Sequence, residues 1–77
     1  MLTNILIASD FYNEYELYQT DDESALIEYL TALYKDPNTE KELPDGTEIL
    51  GSQDDYFLDD VLSITDKTIW LSDLMEV

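Results

Sequence analysis

The chain carries far more negative charge than a small folded protein needs for solubility. Its 77 residues include 19 Asp and Glu against 3 Lys and Arg, with no His, which gives a formal net charge of −16 at pH 7. Repulsion among the carboxylates opposes compactness, so a folded chain should have an apolar core beneath an acidic surface. The charge also argues against direct binding to nucleic acid or to an anionic membrane, because Lys and Arg hold both of these partners.

The hydrophobic content nevertheless indicates a folded protein. Hydrophobic residues make up 44% of the sequence, including six Tyr, two Phe and one Trp, whereas disordered acidic segments are poor in such residues. The length allows one domain, residues 1–77, which would bury roughly 60% of the surface of its unfolded chain. The first eight residues lack a basic leader, and their apolar run is too short to span a membrane, so we expect a cytosolic protein.

Two strands are predicted near the N-terminus. Residues 3–8 form an apolar run typical of a buried strand, with a first helical turn as the alternative. Residues 14–18 alternate between polar and apolar side chains, which is typical of a second strand. The alternation predicts that Tyr18 points to solvent together with the glutamates of this segment. A turn at residues 10–13 would join the two strands into a hairpin.

A long helix is predicted over residues 22–35. Residues 21–24 are three acids and a serine, whose side chains can accept hydrogen bonds from the first amides of the helix. The acids also interact favourably with the positive end of the helix dipole. Pro37 disfavours helical geometry one residue before it, which ends the helix. Apolar side chains occupy more than half of the circumference, a wider arc than one sheet face would cover. Part of the arc is therefore predicted to bind a second copy of the chain or another partner.

The sequence of the second half of the chain predicts a loop, two strands and a helix. Residues 37–46 contain two prolines, an Asn and an Asp-Gly step, which are typical of a loop or of a tight hairpin closed at residues 44–46. The elements are a strand at residues 47–50, a helix over residues 53–63 and a strand at residues 67–71. Ser52 and Asp55 have the spacing of a capping box at the start of this helix. An alternative interpretation makes residues 61–64 a strand that turns into the last one.

These elements predict an α+β fold. Its small antiparallel sheet would have three to four strands and would pack with one long and one short helix.

Enzymatic chemistry is disfavoured by the residues that the chain lacks. Without Cys there is no disulfide, thiol catalysis or Cys-ligated zinc, and without His the usual general base is missing. A carboxylate pair such as Asp59 and Asp60 would need a desolvating pocket to hold a proton, which a chain this short without Arg can hardly build. Residues 36–40 resemble the start of a calcium loop, but Lys41 stands where that loop needs Gly. We therefore expect no enzymatic activity, no cofactor and no metal site.

The positions of the acids are more informative than their number. Strand residues two apart lie about 6.5–7 Å apart on one face, and helix residues four apart lie about 6 Å apart. Rows such as Glu14/Glu16 and Asp55/Asp59 therefore approach the spacing of successive phosphates in a nucleic-acid strand. A domain of this length is roughly 30 Å across, and duplex of that length carries about 17–18 phosphate charges, close to the 16 net charges of the chain.

The predicted contact surface combines these rows with exposed tyrosines, because Tyr among acids offers stacking and hydrogen bonds at an interface. Tyr12, Tyr18 and Tyr56 are predicted to be exposed. The predicted partner-binding residues are Glu14, Glu16, Asp21, Asp22, Glu23, Asp54, Asp55, Tyr56, Asp59 and Asp60.

In these features the chain resembles the small acidic DNA-mimic inhibitors of phages and mobile elements, which include anti-CRISPR proteins, antirestriction proteins and uracil-glycosylase inhibitors. The resemblance rests on size, charge, the absence of Cys and His, and Tyr among acids. It covers the composition of the whole chain but no aligned motif, so it transfers no functional residue. Members of this class have unrelated folds.

The resemblance implies a viral protein in the host cytoplasm. Such a protein would inhibit a nucleic-acid-binding host enzyme, such as a CRISPR effector or a restriction enzyme, by occupying its basic groove. An alternative is an immunity protein or antitoxin that neutralises a cationic nuclease toxin. In both functions, surface acids of the chain bind a basic protein.

Overall fold

A computed structural model describes residues 1–75 of the chain and confirms the α+β class. Its elements are β1 (Thr3–Ser9), β2 (Glu14–Thr20), α1 (Glu23–Lys35), β3 (Thr47–Ser52), α2 (Leu58–Ile64), β4 (Lys67–Trp70) and α3 (Leu71–Met75). A tight turn at Asp10–Tyr12, whose residues have positive φ angles, joins β1 to β2.

The four strands form one mixed sheet in the order β3-β2-β1-β4. The predicted N-terminal hairpin is confirmed, because β1 pairs antiparallel with β2 from Thr3 opposite Thr20 to Ser9 opposite Glu14. β3 pairs antiparallel with β2, but β4 pairs parallel with β1, so the prediction of a purely antiparallel sheet is wrong. β3 and β4 run in the same direction at opposite edges, and the chain therefore crosses the sheet between them as α2.

Apolar side chains lie on both faces of this sheet. On β1, Ile5 and Ile7 belong to the cluster that α1 and α3 cover, whereas Leu6 and Ala8 belong to the cluster that α2 covers through Val61. A strand that is buried on both faces carries a continuous apolar run instead of an alternating one. The two-sided core thus explains the sequence of β1.

Two tyrosines lie deeper than a one-sided sheet predicts. Tyr18 is 2% exposed and packs beneath α1, so its predicted exposure is wrong. Its hydroxyl donates to the Glu16 carboxylate at 3.1 Å, which satisfies this polar atom inside the core. Tyr12, which is also predicted to be exposed, is partly buried, and its ring centre lies 4.9 Å from that of Trp70.

The helix predicted over residues 22–35 is confirmed as α1. Asp22 caps it, since its carboxylate accepts a hydrogen bond from the Ala25 amide at 3.1 Å. The wide apolar arc of α1 is covered within the chain, because Leu43 of the following loop and Leu71 of α3 pack against the same cluster. The width of the arc therefore has an explanation in the fold, and the homodimer stays a prediction.

The helix predicted over residues 53–63 begins later than its capping-box spacing suggests. The preceding residues form a turn and a bend, and α2 starts at Leu58 after an extended Phe57. Asp55 and Asp59 therefore do not share a helix, so the predicted row of these two carboxylates at helical spacing is wrong. The alternative interpretation of the end of this segment as a strand is wrong as well, and no sequence pattern predicts α3.

The dimensions of the molecule agree with those expected from its length. The radius of gyration of the Cα atoms is 11.9 Å, and the principal extents are 31 × 29 × 20 Å. Within residues 1–75, every helix is too short or too polar to cross a membrane.

Replacing Leu6 by Ala should remove much of the stability of the fold. Leu6 is fully buried in the central part of the sheet, and such a change lowers the free energy of unfolding by about 2–5 kcal/mol. Leu2 lies 56% exposed before β1, so Leu2→Ala is the control and should change this free energy by less than about 0.5 kcal/mol. Urea denaturation followed by circular dichroism measures both variants. Equal losses would contradict the two-sided core.

Candidate functional site

One end of the sheet gathers acids from two distant parts of the sequence. At this end β1 stops, β2 begins and β3 stops, so that Glu14 lies opposite Ser9 and Glu16 lies opposite Ser52. We call it the acidic end and define it by residues 9–16 and 52–57. The two segments contain five acids and no Lys or Arg.

Tyr15 connects the two segments of the acidic end. Its amide donates to the side-chain oxygen of Gln53 at 3.0 Å, and its carbonyl accepts from the Gln53 amide at 3.2 Å. The Tyr15 hydroxyl donates to the Tyr56 carbonyl at 2.6 Å. These bonds extend the pairing of β2 and β3 past the last residue of β3. The turn that carries Asp54 is therefore held beside the start of β2.

The acidic end contains a shallow cleft of about 360 Å³. Glu14, Glu16 and Asp54 line it together with Tyr34 from the end of α1 and Leu71 from α3. Carboxylates next to aromatic and aliphatic surface suit the side chain of Arg or Lys, which has a charged tip on an apolar stem. The cleft can therefore accept basic side chains from a partner protein.

Two tyrosines beside Glu16 hold their protons more strongly than an exposed tyrosine does. Burial raises the pKa of Tyr18, and the neighbouring Glu16 carboxylate raises it further. Burial and the same carboxylate also raise the pKa of Tyr34. Both rings therefore stay neutral at physiological pH and add hydroxyl groups, without further charge, to the surroundings of Glu16.

Aromatic side chains are exposed at the same end of the sheet. Phe11 is 92% exposed, Phe57 is 81% exposed and Tyr56 is 43% exposed. The sequence predicts exposure for Tyr56, and this is confirmed. Aromatic residues are enriched at protein–protein interfaces, so these rings fit the acidic end as a contact surface.

Three other predicted site residues, Asp21, Asp22 and Glu23, lie at the opposite end of the sheet. They follow the last residue of β2 and are roughly 20 Å from Glu14 along that strand. Asp22 caps α1, and Glu23 forms an ion pair with Lys67, whereas Asp21 is exposed. Two of the three therefore stabilise the fold, and none of them belongs to the acidic end.

The remaining predicted acids differ in what their carboxylates do. Asp55 accepts a hydrogen bond from the Ser52 amide at 2.9 Å and so stabilises the turn after β3. Asp59 and Asp60 are exposed in the first turn of α2. Their negative charges interact favourably with the positive end of the helix dipole.

Glu14 and Asp54 are the predicted acids that leave their carboxylates free at the acidic end. Both residues are exposed, and the hydrogen bonds that they make in the described part of the chain use their backbone atoms. They are therefore the side chains best placed for contact with a partner.

The sequence prediction misses Asp10, Phe11 and Gln53 of the acidic end, and Tyr34, which lines its cleft. Tyr34 belongs to the apolar arc of α1 and resembles any other core residue. Gln53 bonds to a residue 38 positions away, which no local pattern reveals. Phe11 does carry a signal, because a large apolar side chain within a predicted tight turn has little chance of burial.

Neither a metal-binding group nor a known relative identifies the site. Among residues 1–75, no three acidic side chains converge in a way that could hold a metal ion. Comparison with protein-family models, curated proteins and solved structures finds no match to this chain. The candidate site therefore rests on the geometry of the acidic end.

Asp22→Ala should destabilise the protein although it removes a negative charge. The substitution deletes the side-chain cap of α1, and Asp21→Ala removes the same charge without removing a cap. Urea denaturation should show Asp22→Ala to be less stable than Asp21→Ala by about 1 kcal/mol. Equal stabilities would contradict the structural role of Asp22.

The fold should lose stability above about pH 10. A tyrosine in the unfolded chain ionises near this pH, whereas the pKa values of Tyr18 and Tyr34 are raised in the folded chain. The folded state then binds more protons than the unfolded state, and the free energy of unfolding falls as the pH rises. Tyr18→Phe should reduce this slope by up to about 1.4 kcal/mol per pH unit. Urea denaturation between about pH 9 and pH 11 measures the slope. An unchanged slope would contradict the raised pKa of Tyr18.

Proposed function

We propose that the protein is an acidic inhibitor that occupies the basic groove of a nucleic-acid-binding enzyme in place of nucleic acid. The observation that carries the proposal is the acidic end, where five acids from two segments meet without a basic residue between them. Such a surface, with exposed aromatic rings, has the chemistry of a contact with a cationic protein. A CRISPR effector or a restriction enzyme presents a groove of this kind.

The spacing of the carboxylates supports imitation of a phosphate backbone. Glu14 and Glu16 lie two residues apart on one face of β2, which separates them by about 6.5–7 Å. Asp54 lines the same cleft from the neighbouring turn. Lys and Arg side chains that bind successive phosphates would therefore meet carboxylates at a similar spacing.

The size of the molecule supports the same proposal. Its longest extent is 31 Å, and duplex of that length carries about 18 phosphate charges at one per 1.7 Å. The net charge of −16 is close to this number. The whole molecule would steer a basic enzyme towards itself, and the acidic end would make the contacts.

Affinity capture tests this proposal. The tagged full chain is incubated with lysates of candidate host cells, and bound proteins are identified by mass spectrometry with and without excess duplex DNA. We expect a basic nucleic-acid enzyme that the DNA displaces, because both ligands would need the same groove. A partner that DNA does not displace would contradict the mimicry. Capture of a cationic nuclease toxin would indicate an immunity protein instead.

Charge reversal at the acidic end should weaken the complex with the captured enzyme. Glu14→Lys combined with Asp54→Lys should lower the affinity by at least about tenfold, because these carboxylates lie in the contact surface. Glu40→Lys combined with Glu42→Lys changes the net charge equally, at exposed positions of the loop after α1, and is the matched control. Calorimetry measures the affinities, and circular dichroism verifies the folds. Equal losses in both double variants would mean that overall charge alone determines binding.

A further inference from the structure

Phe11 is the most exposed large side chain of the acidic end. It stands at the tip of the β1–β2 hairpin and belongs to neither apolar cluster of the core. Its neighbour Tyr12 packs against Trp70, so the core uses one ring of this turn and leaves the other in water. A ring that stays in water adds nothing to the hydrophobic stabilisation of the fold.

The backbone around Phe11 is strained. The φ angles of Asp10, Phe11 and Tyr12 are +39°, +57° and +71°, a left-handed conformation that bulky side chains rarely adopt. Strain of this kind costs stability and is concentrated at functional sites. Glycine would adopt the conformation of Phe11 without this cost. The stability of the fold therefore does not explain a phenylalanine at this position.

Charge identifies what Phe11 would contact. Asp10 precedes Phe11 directly in the turn, Glu14 begins β2 just after it, and Glu16 and Asp54 lie at the same end of the sheet. A second copy of the chain would bring equal acids face to face and be repelled, whereas a positively charged protein would be attracted. The occupant with complementary chemistry is a cationic protein surface that also offers an apolar pocket.

We propose that Phe11 inserts into an apolar pocket of a positively charged protein surface while the acidic end contacts the basic residues around that pocket. The inference rests on the proposed function, because it assigns the residue that anchors the inhibitor on its target. The two kinds of contact have different kinetic effects. The carboxylates accelerate association, and the buried ring slows dissociation.

A stability measurement tests whether Phe11 is free of a structural role. Phe11→Gly removes the ring and relieves the left-handed backbone, so its melting temperature should equal or exceed that of the unmodified chain. A melting temperature several degrees lower would assign Phe11 to the fold and overturn the proposal.

A pair of peptide probes tests the contact itself. One peptide has four Arg-Leu repeats and the other has four Arg-Ser repeats, so that they carry equal charge and differ in apolar surface. Calorimetry with the full chain should show that the Arg-Leu peptide binds about fivefold or more tightly than the Arg-Ser peptide. Phe11→Ala should remove most of this preference and leave the affinity for the Arg-Ser peptide unchanged.

Leu2→Ala is the matched control, because Leu2 is an exposed apolar residue at the opposite end of β1. It should preserve the preference for the Arg-Leu peptide. The proposal is overturned if the unmodified chain shows no preference, or if Phe11→Ala keeps it. These outcomes do not depend on which enzyme the chain captures, so a failure of the anchor can be told apart from a failure of the proposed inhibition.

Discussion

Burial of both faces of a four-stranded sheet holds together a chain whose 16 net negative charges repel one another. The strand β1 contributes to both apolar clusters, and α1, α3 and α2 cover them from opposite sides. Because apolar clusters occupy both faces of the central strands, most carboxylates lie in loops, in turns and on outer helix surfaces. The pairing of β2 with β1 and β3 then brings the five acids of the acidic end together from two distant segments.

The acids consequently fall into two groups with different roles. Some act within the fold: Asp22 caps α1, Glu23 pairs with Lys67, and Asp66 accepts a hydrogen bond from the Asn4 amide at 2.8 Å. Others, such as Glu14 and Asp54, keep their carboxylates exposed at the acidic end. The total charge therefore overstates the number of carboxylates that are free for contact, and the second group is where we propose that a cationic partner binds.

Local patterns predicted the elements whose signals are local. Residues 22–35 begin with a cap, are followed by Pro37 and form the expected helix. The alternation in residues 14–18 identified one strand of the hairpin. The same alternation misplaced Tyr18, because a sheet covered on both faces buries the tyrosine on the second face. Ser52 and Asp55, which have capping-box spacing, do form a hydrogen bond from the Ser52 amide to the Asp55 carboxylate, but this bond lies in a turn before α2 and not at the start of the helix.

The candidate site was predictable only in part, because some of its contacts join residues that are far apart in the sequence. The spacing of Glu14 and Glu16 follows from a strand, but their approach to Asp54 depends on the pairing of β2 with β3 and on the contacts of Gln53. Those contacts join residues about 40 positions apart, and no pattern within one segment encodes them. The separation of Asp22 and Glu23 from this group is likewise a property of the whole sheet.

We propose that the acidic end, and not the charge as a whole, binds the basic groove. Backbone amide signals of the isotope-labelled chain, recorded by NMR during titration with the captured enzyme, show which residues lie in the contact. We expect changes centred on residues 9–16 and 52–57, with Tyr34 and Leu71 of the cleft also affected, and we expect duplex DNA to reverse them. Changes centred on residues 20–24, or spread evenly over the chain, would contradict it.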